Sequence, residues 1–327
     1  MLDRNRILFV TAVLAGMLCA GLLTACSSGS SGSSQNADSS AGVSSAMQSS
    51  LVEGESELQG EEYEEDWDGS VKGSVDEYSW KALSAISAEI SSAGDEASAL
   101  EIAKKYGLCN EDGIPDNTHI KNVDLGDGSV ARAQIIGFYY DDKSDGSGKA
   151  GITFQFFDCV DSQAMSYSST NSGGWEASEM RRWLNADFLE SLPSSLRSAI
   201  VEVDKRTNNV GETSSTSSVT TTKDSIWLLS VTELQGYTSA AVTSDGNDVL
   251  NEERAEHQNQ YSEYQFFAKN SGDVALARMK DGSKKSWLLR SPTPDESAFY
   301  YAINSKNNEL AICEADDSAG VAPCFCI

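Results

Sequence analysis

The chain closes on Ala322-Pro323-Cys324-Phe325-Cys326-Ile327, and its two thiols are among the few groups with obvious chemistry. Residues two apart on a strand share a face, so Cys324 and Cys326 are expected to present both sulfurs to one side. That pattern suits paired ligands, and it equally suits core packing, because free cysteine is among the most buried residue types. Neighbours on one strand seldom bridge each other. Cys313, in the preceding hairpin, can reach one of them, which makes Cys313 and Cys324 the candidate disulfide. Five cysteines follow Cys26, namely Cys109, Cys159, Cys313, Cys324 and Cys326. An odd count outside the cytoplasm leaves at least one unpaired.

A second candidate is the loop Asp141-Asp142-Lys143-Ser144-Asp145-Gly146. Alternating carboxylates invite calcium, but an EF-hand loop needs oxygen ligands where Lys143 stands and a bidentate glutamate where Ile152 stands. A looser oxygen site from Asp141, Asp142 and Asp145 is left, beside the alternative of a solvated turn built on Asp and Gly. Among the aromatics, Trp175 follows two glycines and precedes a helix, and is expected to be exposed enough to stack on a sugar. Arg290 follows an apolar Trp-Leu-Leu strand and precedes Ser291-Pro292, where a guanidinium fork can serve an internal carboxylate or a ligand. Arg181, on a short helix, has the same two readings. Trp175, Arg181 and Arg290 are therefore the candidate ligand residues. No G-x-S-x-G, H-E-x-x-H or phosphate-cradling loop is present, and only His119 and His257 could act as imidazole bases. Acid pairs suited to glycoside hydrolysis are not singled out by spacing, so no catalytic residue is nominated.

The elements that must hold these residues are legible in outline. Leu83, Ile86 and Ile90 lie at helical spacing. Asp95 and Glu96 open a second helix that Lys104 and Lys105 close before Gly107. Together they predict a helical hairpin over 76–108. Ala131 to Tyr140 and Ile152 to Phe157 read as strands. A short helix carries Met180, Trp183 and Leu184, and another begins at Pro193. Thr207 to Thr222 reads as a polar loop. Ile226 to Leu229, Ser286 to Arg290 and Val321 to Cys326 read as strands, with a helix ending near Phe267. Trp227 and Trp287, in matched Trp-Leu-Leu segments, are expected to pack or pair together. Irregular alternation of strands and helices predicts an α+β fold, with the helical hairpin packed on a mixed β domain.

Composition sets the setting. Net charge is −26 over 327 residues, which argues against a nucleic-acid partner, whose phosphates demand a basic face. Arg4 and Arg6 precede an uncharged run from Ile7 to Leu23, and Leu23-Thr24-Ala25-Cys26 follows. This resembles the lipobox of bacterial lipoproteins, and implies a signal peptide over 1–25 and lipidation at Cys26, whose acyl chains hold the protein on the outer face of the bilayer. Residues 26–75 read as a tether. They run from Ser, Gly and Ala into Leu51–Asp68, which carries nine acids and no base and extends by self-repulsion. Tyr63 and Trp67 offer a docking alternative within that acidic run.

Four segments in order carry a further resemblance: "GGWEASEMRRWLN" from Gly173 to Asn185, "SIWLLSVTEL" from Ser225 to Leu234, "SWLLRSP" from Ser286 to Pro292, and the closing "GVAPCFCI". They resemble a bacterial surface domain of unknown function (domain 6273), whose members end in G-V-R-P-A-F. Ala322 stands in place of the arginine and Cys324 in place of the alanine, so no role of that arginine carries over. The closing pattern is similar to C-type-lectin-like domains and the formylglycine-generating-enzyme fold. That likeness implies a lectin-like architecture over about 120–327, and it offers copper(I) at the paired cysteines as a sharper alternative to packing. The combined expectation is a surface lipoprotein with a non-catalytic binding or adhesion domain for a glycan or protein, needing no cofactor unless calcium binds. An extracytoplasmic enzyme and a purely structural envelope protein are the alternatives.

Overall fold

The structure, a computed structural model, describes residues 67–235, 244–254, 263–270 and 273–327. The lipobox, Cys26, the tether as far as residue 66 and His257 lie outside the described residues. Packing already begins at Trp67 rather than at Asp76: its indole meets the Tyr106 ring edge-on at 5.3 Å, and Val75 is fully buried.

Helix α1 (Trp80–Ser91) starts at Ser79, whose side chain accepts the N–H of Ala82. Leu83, Ile86 and Ile90 form its buried stripe, as helical spacing requires. Helix α2 (Glu96–Lys105) is capped by Asp95, which accepts from the Ser98 N–H at 2.8 Å. It stops at Gly107, a residue with φ of +64° that a side chain would disfavour.

The strands are β1 (Ile120–Asp124), β2 (Val130–Phe138), β3 (Ile152–Phe156), β4 (Asp161–Gln163), β5 (Val203–Asn208), β6 (Val219–Asp224), β7 (Ile226–Trp227), β8 (Arg278–Lys280), β9 (Ser283–Lys285), β10 (Trp287–Pro292), β11 (Phe299–Ile303), β12 (Leu310–Glu314), β13 (Ala319–Val321) and β14 (Cys324–Cys326). They build two five-stranded sheets, ordered β1-β2-β3-β14-β7 and β12-β11-β10-β13-β4, plus the hairpins β5-β6 and β8-β9. Short helices and separate sheets make this an α+β fold.

The closing segment belongs to both sheets. Ala319–Val321 pairs with β4 and β10, and after Ala322-Pro323 the chain enters the first sheet between β3 and β7. Proline lacks an N–H for a ladder, so the change of sheet falls where a ladder bond could not form. Phe325 then stacks on Phe154 at 5.3 Å with planes 9° apart, and Trp80 of α1 meets both rings edge-on. Such aromatic pairs add about 0.5–1.5 kcal/mol beyond the area they bury, so one end of α1 and the last strand hold each other.

Two expectations change. Thr220 to Thr222 lie in β6, paired along its length with β5. Their polar side chains disguise a strand, although threonine favours one. Trp227 and Trp287 lie in different sheets and each ring faces its own cation, Lys205 at 4.1 Å and Arg278 at 5.0 Å.

Candidate functional site

Four charged side chains meet in the interior. Asp141 follows β2, Lys205 sits in the middle of β5, and Arg290 lies in β10. Glu233 lies in α4 (Val231–Gln235). All four are at most 1 % exposed. Glu233 is positioned by a reciprocal cap: Ser230 Oγ accepts the Glu233 N–H at 3.2 Å, and Glu233 Oε2 accepts the Ser230 N–H at 2.9 Å. The Ser-x-x-Glu spacing makes this a capping box, and it aims the carboxylate inward.

The Lys205 ammonium donates to Asp141 Oδ1, to Glu233 Oε1 at 3.0 Å and to the Tyr264 hydroxyl at 3.0 Å, which uses all three of its hydrogens. Arg290 donates through Nη1 to Glu233 Oε2 and through Nη2 to Glu233 Oε1 at 3.0 Å. It also reaches Thr207 Oγ1 at 2.8 Å and the Leu228 carbonyl at 2.7 Å. Asp141 Oδ2 accepts from Thr153 Oγ1 at 2.7 Å and from the Cys326 thiol at 3.2 Å. Two cations therefore face two anions. Burial pushes the Asp141 carboxyl up, but the Lys205 ammonium overrides it and holds the group below its ordinary range. Burial likewise pulls Lys205 down, and Asp141 and Glu233 more than restore it.

Glu253, in α5 (Ser244–Arg254), stands beside this cluster. It accepts from the Asn208 N–H at 3.0 Å and from Ser291 Oγ at 2.8 Å. With no cation bound directly, burial pushes its carboxyl up to about 7.

At the surface, the segment Gly173–Asn185 separates into an anchored side and an open side. Gly174 has φ of +55°, and a Cβ there would sit 2.0 Å from the Asn208 carbonyl oxygen; only glycine lets the chain pass. Trp175 is fully buried, its Nε1 donating to Asp224 Oδ2 at 3.0 Å. Arg181, in α3 (Glu179–Trp183), donates from Nε to Asp224 Oδ1 at 2.6 Å and from Nη2 to the Lys223 carbonyl at 3.0 Å. Asn185 accepts two backbone N–H groups, from Ser225 and Ile226. What points outward is a cleft of about 440 Å³ lined by Glu176, Ala177, Ser178, Arg181, Arg182 and Asn185. Beside it the Tyr167 ring is 82 % exposed, with the Arg182 guanidinium 5.9 Å from its centroid.

Several sequence expectations are corrected by these positions. Trp175 is not exposed; its indole N–H has a buried carboxylate partner, and no face remains for a sugar. Arg290 is enclosed and fully paired, and Arg181 is largely spent on Asp224. Asp141, Asp142 and Asp145 do not converge on a calcium site. Asp141 is buried against Lys205, Asp142 pairs with Lys149 at 3.1 Å, and Asp145 accepts the N–H of Ser147 in an exposed turn. No cluster of three or more His, Cys, Asp or Glu able to hold a metal occurs among the described residues. Cys313 and Cys324 are both free thiols; they lie in different sheets, so the expected bridge does not form. Cys324 and Cys326 do face the same interior region, where burial drives both thiols well above their ordinary range.

Sequence reasoning missed Lys205, Glu233, Glu253 and Tyr264. The Ser230-x-x-Glu233 spacing was the one available signal. A lysine within a polar run reads as solvated, and nothing marked Tyr167 or Arg182.

No curated protein matches the chain, and no solved structure does. A family model described as a domain of unknown function (DUF6273) matches residues 152–327. That span covers more than half of the sequence and contains all four of the motif segments. Within it lie Lys205, Glu233 and Arg290 of the buried cluster, and the anchored segment Gly173–Asn185. The chain belongs to the DUF6273 family.

Proposed function

We propose that this is a lipid-anchored surface protein whose folded part binds a glycan or protein ligand without catalysing a reaction on it. The observation that carries this reading is the division between the buried cluster and the cleft. The four charged groups of the buried cluster are enclosed. The open cleft beside α3 offers instead a flat aromatic face, a guanidinium and a carboxylate. An exposed tyrosine ring presents a π surface to sugar C–H groups or to an apolar side chain, while Arg182 and Glu176 supply directional hydrogen bonds. The rigid seating of Trp175, Arg181 and Asn185 fixes that face before a ligand arrives, which lowers the ordering cost of binding.

The anchor rests on the lipobox at Cys26. The lectin-like character of the fold rests on the closing Gly-Val-Ala-Pro segment, whose flanking strands β13 and β14 pair within one sheet each. The test is a screen of the purified protein on glycan and mucin arrays, comparing wild type with Tyr167→Ala. Binding that the substitution abolishes supports the reading. No ligand across the arrays, or retention unchanged in Tyr167→Ala, removes this cleft as the binding face.

A further inference from the structure

We propose that Lys205 and Asp141 become joined by an intramolecular amide bond between Lys205 Nζ and Asp141 Cγ. The two groups touch directly and both are 0 % exposed. A second carboxylate, Glu233, lies 3.0 Å from the same nitrogen. The Trp227 ring covers the nitrogen at 4.1 Å. The Tyr264 hydroxyl touches both reactants, 3.0 Å from Nζ and 2.9 Å from Asp141 Oδ1. An amine and a carboxyl held in contact in this way have a very high effective concentration, on the order of 10⁵ M or more for well-oriented groups. Exclusion of bulk water removes the excess of product that opposes condensation in solution. Burying an ion pair is itself costly, and the amide product carries no charge.

The step balances within the site. The Lys205 ammonium gives one proton to Asp141 Oδ1 through the Tyr264 hydroxyl that touches both, and the freed lone pair attacks the now neutral Asp141 carboxyl at Cγ while a second proton passes to Glu233 Oε1. Asp141 Oδ2, held by Thr153 Oγ1 and the Cys326 thiol, bears the developing negative charge and becomes the amide oxygen. Oδ1 lies beside both Nζ and the Tyr264 hydroxyl, and it leaves as water, carrying the two protons lost from nitrogen. The lysine's positive and the aspartate's negative charge vanish together. The remaining amide N–H faces Glu233, and Glu233 and Arg290 stay as a neutral pair. Both reactants are held charged at rest, Lys205 by its two carboxylates and Asp141 by the lysine. Proton transfer from nitrogen must therefore precede attack, and Glu233 is the residue placed to accept the second proton. The bond would tie the end of β2 to β5, across 64 positions of chain, and would lock the two hairpins together as suits a domain exposed outside the cell.

The test is the intact mass of the purified full-length protein under denaturing conditions, followed by proteolysis and sequencing of any branched peptide. The expected result is a mass lower by one water and a peptide joining the Asp141 and Lys205 segments. Lys205→Met should show its full mass. Asp141→Asn should reach the same final mass as wild type, by losing ammonia instead of water. Glu233→Gln should slow or stop the loss. An unmodified wild-type mass overturns the proposal irrespective of how the variants fold. So does a one-water loss that maps to other residues or persists in Lys205→Met.

Discussion

Arg290 grips both carboxylate oxygens of Glu233 from a strand 57 positions away in sequence. The two residues come from different motif segments, and each has further partners: Glu233 the Ser230 cap, and Arg290 Thr207 and the Leu228 carbonyl. The pair is therefore a joint between α4 and the second sheet. Lys205 extends it to β5 through the other contact of Glu233, and Asp141 extends it to the first sheet.

Truncating one member of such a joint should cost far more than losing a surface ion pair. Arg290→Met would strip Glu233 of its bidentate partner while leaving it buried, and breaking a buried pair in this way costs about 3–5 kcal/mol. Arg290→Lys keeps the charge but cannot span Glu233, Thr207 and Leu228 at once, so its loss should be smaller. Urea or guanidinium unfolding of the three proteins gives the comparison. A Met variant as stable as wild type would show that the network is dispensable.

The outline of this fold was legible because local rules decide it. The Leu83, Ile86, Ile90 stripe, the Asp95 cap and the apolar strand ending at Phe138 each follow from local sequence pattern. The cluster was hidden because its members are ordinary polar residues in sequence, and only long-range pairing buries them. Lys205 sits among Asp204, Arg206 and Thr207, a run that reads as solvent-facing until β6 and the interior close around it. Trp175 misled for a related reason. Its preceding glycines suggested an open loop, whereas Gly174 is needed to bring the chain against Asn208 and drive the indole inward.

Glu253 predicts a pH dependence of stability. Its folded value of about 7 lies above the ordinary 4.5, so the native state keeps a proton that the unfolded chain has already released between those values. Stability from this group is therefore full at low pH, falls as pH rises through the window, and levels off above it. The whole effect is about 3 kcal/mol at most, since each unit of difference corresponds to about 1.4 kcal/mol. Glu253→Gln mimics the protonated group and should lack this slope. Chemical denaturation of both proteins at about pH 5 and about pH 8 should show the variant gaining on wild type as pH rises. A constant difference would mean that Glu253 does not titrate there.

The thiols should differ sharply in reactivity. Cys313 lines an open cleft of about 410 Å³ beside β12, and burial raises its thiol to about 11. Cys324 and Cys326 are fully buried, and burial drives their thiols well above the ordinary range. Reactivity follows the thiolate fraction and access. Native-state alkylation followed by peptide mapping should therefore label Cys313 first, faster as pH rises, and reach Cys324 and Cys326 only on unfolding. Early labelling of either C-terminal thiol would contradict the packing of β14.

Tyr167 and Trp175 should separate binding from stability. Trp175→Phe keeps most of the buried ring but removes the donor to Asp224, which retains Arg181 and Thr222 as partners. Losing one such hydrogen bond to a charged group costs about 1.5–3 kcal/mol, so the variant should melt earlier while its cleft keeps its shape and its ligand. Tyr167→Ala removes a side chain that is largely in solvent, so it should leave stability within about 0.5 kcal/mol of wild type and abolish capture of whatever ligand the arrays reveal. Measuring both variants by thermal unfolding and by array binding places each on one axis only. If Trp175→Phe lost binding at full stability, the indole would be touching ligand and the assignment of the exposed face to Tyr167 and Arg182 would be reversed.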